Sequence, residues 1–411
     1  MATTRNQNAQ NPEENRRTIS DIFLEERMNM VPPTEQNLKK QIQNWLKRNP
    51  YRELLFYVRS RVMGQEDVSK VTANVYNYLE NVSDPVTGNM TRGNRNNMIL
   101  AAPSGSGKTE TYRALKDYFS DQIPALIINI IDVSSLTPTG YRGAEPSSIV
   151  APFIRLGEQP IGIVFLDEFD KMCTPSYSAN HGDVHLEVQN NLLTIIEGAR
   201  IETKRGYVNT SNLLFIGTGS FDLFRKRREN EKKTSIGFQK QEYAETEHSA
   251  PITRENIISA GGSYELIGRF SYIINYHPLD QETVINIIRR ECEDISADFK
   301  CEINMEPQAL TELCEKANSK FGCRLLGSLI RDSVLNAFSE ALESDDNGDV
   351  LVVKIESLNS YTYYFRNFNQ QELLLQNETE WDDGVKMEDE LSCERMSFEE
   401  RLEALIRAKQ K

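Results

Sequence analysis

In the first hundred residues, apolar side chains recur three to four positions apart, which is the spacing of one face of a helix. This pattern predicts helices that start near Thr34, near Tyr51 and at Gln65, the last reaching Tyr78. Residues 1–17 are rich in Asn, Gln, Glu and Arg and have almost no apolar content. We therefore expect this first segment to be disordered.

From about residue 97 to residue 277 the pattern changes to short apolar runs separated by amphipathic stretches. The runs predict strands at 97–101, 125–132, 161–166, 212–217 and 271–276, and the stretches predict helices at 108–118 and 184–197. This alternation is typical of a parallel sheet covered by crossover helices. We therefore predict an α/β fold for this part of the chain.

After Pro278 the pattern becomes almost entirely helical. Helices are predicted at 280–295, 307–318 and 324–342, and a short strand at 350–356 follows an Asn-Gly turn. The predicted organisation has five regions. They are an N-terminal tail (1–33), a helical segment (34–60), a large α/β domain (61–277), a small, mostly helical domain (278–360), and an acidic tail with a short amphipathic helix (361–411).

Composition narrows the class of protein. Of the 411 residues, 39% are hydrophobic and 26% are charged, which is typical of soluble globular proteins. The net charge of −14 argues against broad nucleic-acid binding, which needs a basic surface. The apolar runs are too short to span a bilayer and the N-terminus is polar, so we expect a cytoplasmic protein with no membrane partner.

Cysteines and histidines give no sign of a metal site. The six cysteines form no Cys-x-x-Cys pair, so free thiols are expected rather than zinc ligands or a disulfide framework. His181 and His185 stand at helical spacing, but no third ligand cluster accompanies them. A polar surface pair is therefore the preferred interpretation.

Residues 98–109 combine an apolar strand, a glycine-rich turn and the start of a helix. Gly105 and Gly107 allow backbone amides to surround phosphate oxygens, and the helix N-terminus adds a favourable dipole. Lys108 is placed to reach the β- and γ-phosphates, and Thr109 offers its hydroxyl to Mg²⁺. The predicted nucleotide-binding residues of this phosphate loop are Pro103, Ser104, Gly105, Ser106, Gly107, Lys108, Thr109 and Glu110.

One position of this loop departs from the usual motif, because Ala102 stands where the first glycine is expected. Alanine tolerates most backbone angles except strongly left-handed ones. We therefore expect nucleotide binding to survive the change.

The second half of the motif is an apolar run, residues 161–166, that ends in Asp167 and Glu168. Asp167 is predicted to hold Mg²⁺ and Glu168 to polarise the attacking water. A buried strand that merely ends in acidic residues is the alternative. The presence of both halves in this order favours ATP and Mg²⁺ as the ligands.

The order of these motifs resembles the AAA+ superfamily, and specifically the Clp/HSP100 branch that contains the ClpX and HslU unfoldases. The resemblance covers about residues 60–345. Residues 62–65 (Val-Met-Gly-Gln) resemble the box that lies along the nucleotide base, 165–171 are close to the ClpX form of the acidic strand end, and 188–198 resemble the helix after it. The resemblance implies a P-loop NTPase (AAA+) parallel sheet with flanking helices, plus a smaller, mostly helical C-terminal lid domain.

The resemblance also implies roles for three polar residues. Thr218 falls in a segment similar to the sensor-1 strand, where a polar side chain would contact the γ-phosphate or its water. Arg269 matches the arginine finger that completes a neighbouring subunit's site, and Arg324 matches the arginine of the sensor-2 motif. The implied assembly is a homo-oligomer, most often of six subunits.

Two further motifs bear on how the ATP would be used. Tyr141, in Gly-Tyr-Arg-Gly, stands where the family places its central pore loop, which grips a polypeptide. Ile236, Gly237 and Phe238 resemble the tripeptide by which ClpX docks on the ClpP peptidase. The implied partners are therefore protein substrates and a ClpP-like peptidase.

Three departures from ClpX limit the match. The relatives usually have Val where Arg142 stands, and residues 1–60 have no cysteine, whereas ClpX begins with a zinc-binding domain. Residues 202–206 make a shorter turn than the Arg-Lys-His hairpin of ClpX, more like HslU.

The sequence as a whole favours an ATP-driven protein unfoldase that threads polypeptides through a ring. A free-standing remodeller that works without a peptidase is the closest alternative. A DNA-directed AAA+ motor or clamp loader and a non-hydrolysing, nucleotide-regulated scaffold are the rivals from other classes.

Overall fold

The computed structural model describes residues 35–83, 96–137, 145–176, 183–203, 206–221, 251–317, 322–344 and 348–367. Within these ranges three helices precede the first strand, near the positions that the apolar spacing predicts: α1 (Glu35–Leu46), α2 (Tyr51–Arg61) and α3 (Val68–Ser83).

A parallel sheet of five strands forms the centre of the large unit. The strands are β1 (Met98–Ala101), β2 (Ile127–Asp132), β3 (Gly162–Asp167), β6 (Leu213–Gly219) and β7 (Tyr272–Asn275), in the order β2-β3-β6-β1-β7. Each falls on a predicted apolar run, and every neighbouring pair is parallel. The predicted α/β fold with a parallel sheet is thereby confirmed.

Helices and a hairpin connect these strands. The connecting elements are α4 (Lys108–Gln122), α5 (Phe169–Met172), α6 (Val184–Ile196), the hairpin of β4 (Arg200–Thr203) and β5 (Gly206–Asn209), α7 (Arg254–Ala260) and α8 (Tyr264–Ile267). A 3₁₀ segment, Pro146–Leu156, leads into β3.

The N-terminal helices belong to the same apolar core as the sheet. Trp45 of α1 is buried, and its ring packs edge-on against Phe119 of α4 with centroids 5.3 Å apart. Its Nε1 donates a hydrogen bond of 3.3 Å to the Tyr118 hydroxyl. The helical segment that we predicted as a separate region, 34–60, is therefore continuous with the large unit, because its apolar face is buried on α3 and α4.

A buried tyrosine ties α3 to two strands of the sheet. The Tyr78 hydroxyl accepts from the Gly162 amide at 3.0 Å and lies 2.6 Å from the Asn212 carbonyl, to which it donates. Burial raises the pKa of Tyr78, so the hydroxyl stays protonated and able to donate.

Replacing Tyr78 with phenylalanine is expected to lower the free energy of unfolding by about 1–3 kcal/mol, because it leaves a buried amide and a buried carbonyl without their partner. Denaturant unfolding followed by circular dichroism measures the change. Tyr264→Phe is the control, since Tyr264 is 73% exposed. Equal stabilities of the two variants would contradict this role for the Tyr78 hydroxyl.

The C-terminal unit combines helices with a second, smaller sheet. Its elements are α9 (Gln281–Phe299), β8 (Cys301–Met305), α10 (Pro307–Ala317), the 3₁₀ turn Gly322–Leu325, α11 (Leu326–Glu343), β9 (Val350–Ser357) and β10 (Ser360–Arg366). The strands are ordered β10-β9-β8 and pack with the helices around their own apolar core.

This unit differs from the prediction in its strands. Only β9 was predicted, and the predicted domain end at residue 360 falls at the start of β10. Because β10 pairs with β9 along its whole length, the unit continues to Arg366. β8 was missed because no element was predicted between the helices at 280–295 and 307–318, and its five residues begin two positions after the observed helix ends at Phe299.

Within the described ranges, no helix has the length and apolarity that crossing a membrane requires. Five cysteines in these ranges are thiols that form no disulfide bond, as predicted: Cys173, Cys292, Cys301, Cys314 and Cys323. The His185 ring contacts the Thr174 carbonyl, while His181 lies outside the described residues.

Candidate nucleotide site

The carboxyl ends of three neighbouring strands meet at one edge of the central sheet. Leu100 of β1 pairs with Thr218 of β6, and Leu166 of β3 pairs with Gly217. This register brings the last residue of β3, Asp167, next to Thr218, whose hydroxyl donates to Asp167 Oδ1 at 2.7 Å. In parallel sheets, ligands bind at this edge.

The phosphate loop leaves the sheet from β1 at the same edge. Gly105 (φ 79°) and Gly107 (φ 94°) are in the left-handed region, which glycine adopts at little cost, and α4 begins directly after Gly107. The Lys108 ammonium is buried and donates to the Ala102 and Pro103 carbonyls at 2.6 and 2.9 Å. The loop thus folds around its own lysine.

Ala102 fits the loop without strain. It is not among the described non-glycine residues with positive φ. Its amide donates to the Gly219 carbonyl at 3.0 Å, which extends the pairing of β1 with β6 by one residue. A glycine is therefore not required at this position by the backbone conformation.

Glu168 occupies a strained turn directly after β3. Its φ of 58° is in the left-handed region, which non-glycine residues rarely adopt and which is common at functional sites. Its amide donates to Asp167 Oδ1 at 3.0 Å, and its carboxylate forms an ion pair with Lys171. Both partners of this pair are more than a third exposed, so the pair is weak and easily exchanged.

The structure assigns a place to a carboxylate for which the sequence suggested no role. Asp170 Oδ2 accepts from the Phe221 amide at 3.0 Å and from the Ser220 hydroxyl at 3.1 Å, just beyond β6. Burial raises the pKa of Asp170, against the lowering effect of these hydrogen bonds and of the Lys108 charge. Asp170 therefore joins the turn after β3 to the end of β6. Its position two residues beyond Glu168 was the signal available in the sequence.

Residues 62–65, which resemble the box that lies along the nucleotide base, lie where the large and C-terminal units meet. The Gln65 side chain donates to the His277 carbonyl at 2.7 Å and accepts from the His277 amide at 3.0 Å. Gly64 (φ 70°) packs so closely on Thr283 of α9 that a Cβ there would lie 2.6 Å from the threonine methyl carbon. Residues 62–65 thus connect the large unit to the start of α9.

The 3₁₀ turn that resembles the sensor-2 motif contacts the phosphate loop, with Gly322 against Gly105. A Cβ on Gly322 (φ 57°) would lie 2.7 Å from the Ser104 carbonyl oxygen, and a Cβ on Gly105 would lie 2.8 Å from the Cys323 amide nitrogen. Only residues without side chains allow the two backbones to come this close. The C-terminal unit is therefore in direct contact with the loop.

Replacing Gly322 with alanine is expected to raise the Kd for ATP about tenfold, because the new methyl group forces the C-terminal unit away from the loop, and tenfold corresponds to ~1.4 kcal/mol. Calorimetric titration with ATP in the presence of Mg²⁺ measures it. Gly157→Ala is the matched control, since Gly157 also has positive φ but would meet nothing within 4 Å. The same Kd in both variants would show that the contact does not matter for binding.

The two arginines assigned by resemblance lie outside this cluster of contacts. Arg269 is half exposed and pairs with Glu197, just after α6. Arg324 is exposed in the 3₁₀ turn, two residues after the glycine that touches the loop. Tyr141, Ile236, Gly237 and Phe238 lie outside the described residues. The roles of all these residues stay predictions.

The residues present fit ATP with Mg²⁺. The loop supplies backbone amides, an ammonium and a helix N-terminus for phosphate groups. Thr109 and Asp167 supply the few oxygen ligands that Mg²⁺ takes from a protein when substrate phosphates and waters complete its shell. Within the described ranges there is no group of three or more His, Cys, Asp and Glu residues that could hold a metal by themselves.

Comparison with known proteins agrees with this site. The profile of the AAA domain (Cdc48 subfamily) matches residues 94–273, which contain the central sheet and the phosphate loop. The ATP-dependent Clp protease ATP-binding subunit ClpX of Treponema denticola is 28% identical over 335 residues, covering 74% of this chain and 80% of that protein.

Two further relatives bear the same description. ClpX of Porphyromonas gingivalis is 26% identical over 337 residues, covering 74% of this chain and 81% of the relative. ClpX 2 of Wolinella succinogenes is 24% identical over 371 residues, covering 82% of this chain and 88% of the relative. Fold, site and similarity agree: residues 94–273 match an AAA domain, and the chain is similar over most of its length to ClpX proteins of the Clp/HSP100 branch.

Proposed function

We propose that the protein hydrolyses ATP and uses the energy to unfold polypeptides, as a ring of six subunits that threads them through a central pore. The observation that carries the ATPase part is the contact between Asp167 and Thr218 at the sheet edge from which the phosphate loop leaves. The carboxylate proposed to bind the metal and the side chain proposed as the sensor are thus in direct contact, which supports the proposal.

In this proposal the loop amides and Lys108 bind the β- and γ-phosphates, and Lys108 exchanges its loop carbonyls for phosphate oxygens. Thr109 and Asp167 hold Mg²⁺, which neutralises phosphate charge when bound. Glu168 leaves its weak pair with Lys171 to orient the attacking water and accept its proton. Thr218, on the neighbouring strand, contacts the γ-phosphate or this water.

Arginines from outside the loop complete the proposed site. Arg269 leaves Glu197 and reaches the site of a neighbouring subunit, where its charge stabilises the transition state. Arg324 comes from the C-terminal unit. Because that unit touches the loop at Gly322, a change in the bound phosphates would alter its contact with the large unit. This movement is proposed to drive Tyr141 along the pore.

The unfoldase and peptidase parts of the proposal rest on similarity. The relatives' names describe them as ATP-binding subunits of an ATP-dependent Clp protease. Tyr141 and the Ile236–Phe238 tripeptide stand at the positions where the ClpX resemblance implies a pore loop and a peptidase contact.

The test compares ATPase rate with unfolding of a fluorescent reporter protein. Tyr141→Ala is expected to abolish reporter unfolding while ATP hydrolysis continues, because an aromatic side chain supplies the apolar grip. Deleting residues 236–238 is expected to leave unfolding intact and to abolish degradation with a ClpP-like peptidase.

Other outcomes select the alternatives. Unfolding without any peptidase partnership would indicate a free-standing remodeller. Stimulation of the ATPase by DNA at physiological salt, together with no effect of Tyr141→Ala on any activity, would indicate a DNA-directed motor. ATP binding with no hydrolysis under any of these conditions would indicate a scaffold.

A further inference from the structure

The first two helices carry a charge opposite to that of the rest of the chain. Residues 35–61 contain seven lysines and arginines and only two glutamates, in a chain of net charge −14. Four of the seven are exposed and form no ion pair with any described residue: Lys40, Lys47, Arg52 and Arg59. Most of this positive charge is therefore not neutralised within the described part of the chain.

An exposed aromatic ring lies among these charges on α2. Arg52, Phe56 and Arg59 are four and three positions apart, so they share one face of the helix. Phe56 is 77% exposed, the largest exposed fraction among the large apolar side chains of the described residues. The opposite face of α2, with Leu54 and Val58, is buried in the core. We call Arg52, Phe56 and Arg59, with Lys47 just before the helix, the α2 face.

The chain itself contains a segment of complementary chemistry. Residues 377–400 hold ten aspartates and glutamates against one lysine and one arginine, and Trp381 lies among the acidic residues. Trp381 is flanked by carboxylates, and Phe56 of the α2 face is flanked by guanidinium groups. The two segments can therefore form ion pairs, and an arginine can pack on the indole ring.

The length of the linker and the high effective concentration of a tethered segment also favour this segment over an external partner. It begins ten residues after Asn367, the last described residue, and ten extended residues span up to about 35 Å. The C-terminal unit from which it departs touches the end of α2, since Arg290 of α9 donates to the Ser60 carbonyl at 3.0 Å. A tethered segment competes at an effective concentration in the millimolar range.

We propose that the acidic C-terminal segment, residues 377–400, docks on the α2 face, with Trp381 against Phe56 and its carboxylates on Arg52, Arg59 and Lys47. α2 also pairs with the helix that follows the phosphate loop, through Arg61 and Glu110 at 2.8 Å. This inference does not depend on the proposed ATPase or unfoldase activity.

Tryptophan fluorescence of the full chain tests the docking directly. The chain has two tryptophans, and Trp45 is buried, so acrylamide quenching reports mainly on Trp381, which a Trp381→Phe variant verifies. We expect Trp381 to be protected at low salt. Its quenching constant should rise at least about twofold in the Arg52→Glu/Arg59→Glu variant, or when about 0.5 M salt screens the charges.

The matched control is Arg155→Glu/Lys316→Glu, which makes the same charge change at two exposed residues away from the α2 face. It should leave Trp381 protected. Phe56→Ala should expose Trp381 without any change of charge. Melting temperatures of the variants at Arg52, Phe56, Arg59, Arg155 and Lys316 should agree within a few degrees, because these side chains are all exposed.

Three results would overturn the proposal. The first is Trp381 as accessible in the unchanged chain as in the charge-reversed variant. The second is a Trp381 quenching constant that stays low in the Arg52→Glu/Arg59→Glu variant. This holds also if that variant changes the oligomeric state. The third is retention on nucleic acid at physiological salt that Arg52→Glu/Arg59→Glu abolishes while Trp381 stays exposed, which would assign the α2 face to nucleic acid.

Discussion

Replacing Glu168 with glutamine is expected to reduce the rate of ATP hydrolysis about 10²–10³-fold, because the amide cannot take the proton of the attacking water. The side chains have the same size, so the turn after β3 and the hydrogen bond from the Glu168 amide to Asp167 should remain. ATP affinity should stay within about threefold, since the proposed phosphate ligands are unchanged. The variant would bind ATP and stall.

Steady-state phosphate release measures kcat, and calorimetric titration measures the Kd for ATP. Glu158→Gln is the control, because it makes the same chemical change at an exposed glutamate whose nearest cation, Arg200, is 4.0 Å away. An ATPase rate in Glu168→Gln within a few-fold of the unchanged protein would remove Glu168 from the mechanism. If the unchanged protein also fails to hydrolyse ATP, the result would favour a nucleotide-regulated scaffold.

Replacing Lys108 with alanine is expected to weaken ATP binding about 10–100-fold, as hydrogen bonds to charged groups contribute about 1.5–3 kcal/mol each. The loop should also lose order, since the ammonium now joins the carbonyls of Ala102 and Pro103. Hydrolysis should fall in parallel, because the same charge would lie on the γ-phosphate in the transition state.

Lys116→Ala is the matched control for this change. Lys116 is on the same helix, α4, but is exposed and lies over the Tyr112 ring rather than in the loop. Titration with ATP and Mg²⁺ compares the two variants, and a thermal melt checks that Lys108→Ala is folded at the assay temperature. A folded Lys108→Ala protein with the affinity of the control would show that the loop does not hold the phosphates.

The contacts of Asp170 help to fix the turn after β3 against the end of β6. Phe221 has a φ of 54° and Glu168 a φ of 58°, so two strained residues flank one carboxylate. Asp170 accepts from the Phe221 amide, and Thr218, three residues earlier, donates to Asp167. The two strand ends are therefore fixed relative to each other by side chains rather than by sheet pairing alone.

Much of the fold follows from local pattern. The three inner strands, β1, β3 and β6, are buried along almost their whole length, and a strand covered on both faces appears in the sequence as a short apolar run. The phosphate loop was equally readable, since glycines at fixed spacing before a lysine specify both the turn and its chemistry. These features need only neighbouring residues, so the amino-acid order alone determined them.

Strand pairing in the C-terminal unit could not be read in the same way. β10 combines aromatic and polar residues without strict alternation, and its pairing with β9 depends on a tight turn and on the apolar core beneath both strands. The assignment of α1 and α2 to the large unit likewise depends on Trp45 meeting Phe119, a residue far along the chain.

By itself, the sequence determined that this protein has a parallel α/β sheet, a phosphate loop and an acidic strand end, because periodicity and motif spacing are local. The tertiary structure decided what those parts contact: Gly105 against Gly322, Gln65 on His277, and Asp170 between two strand ends. Such contacts join residues distant in the chain, and they depend on the close packing of both units, which no local spacing encodes.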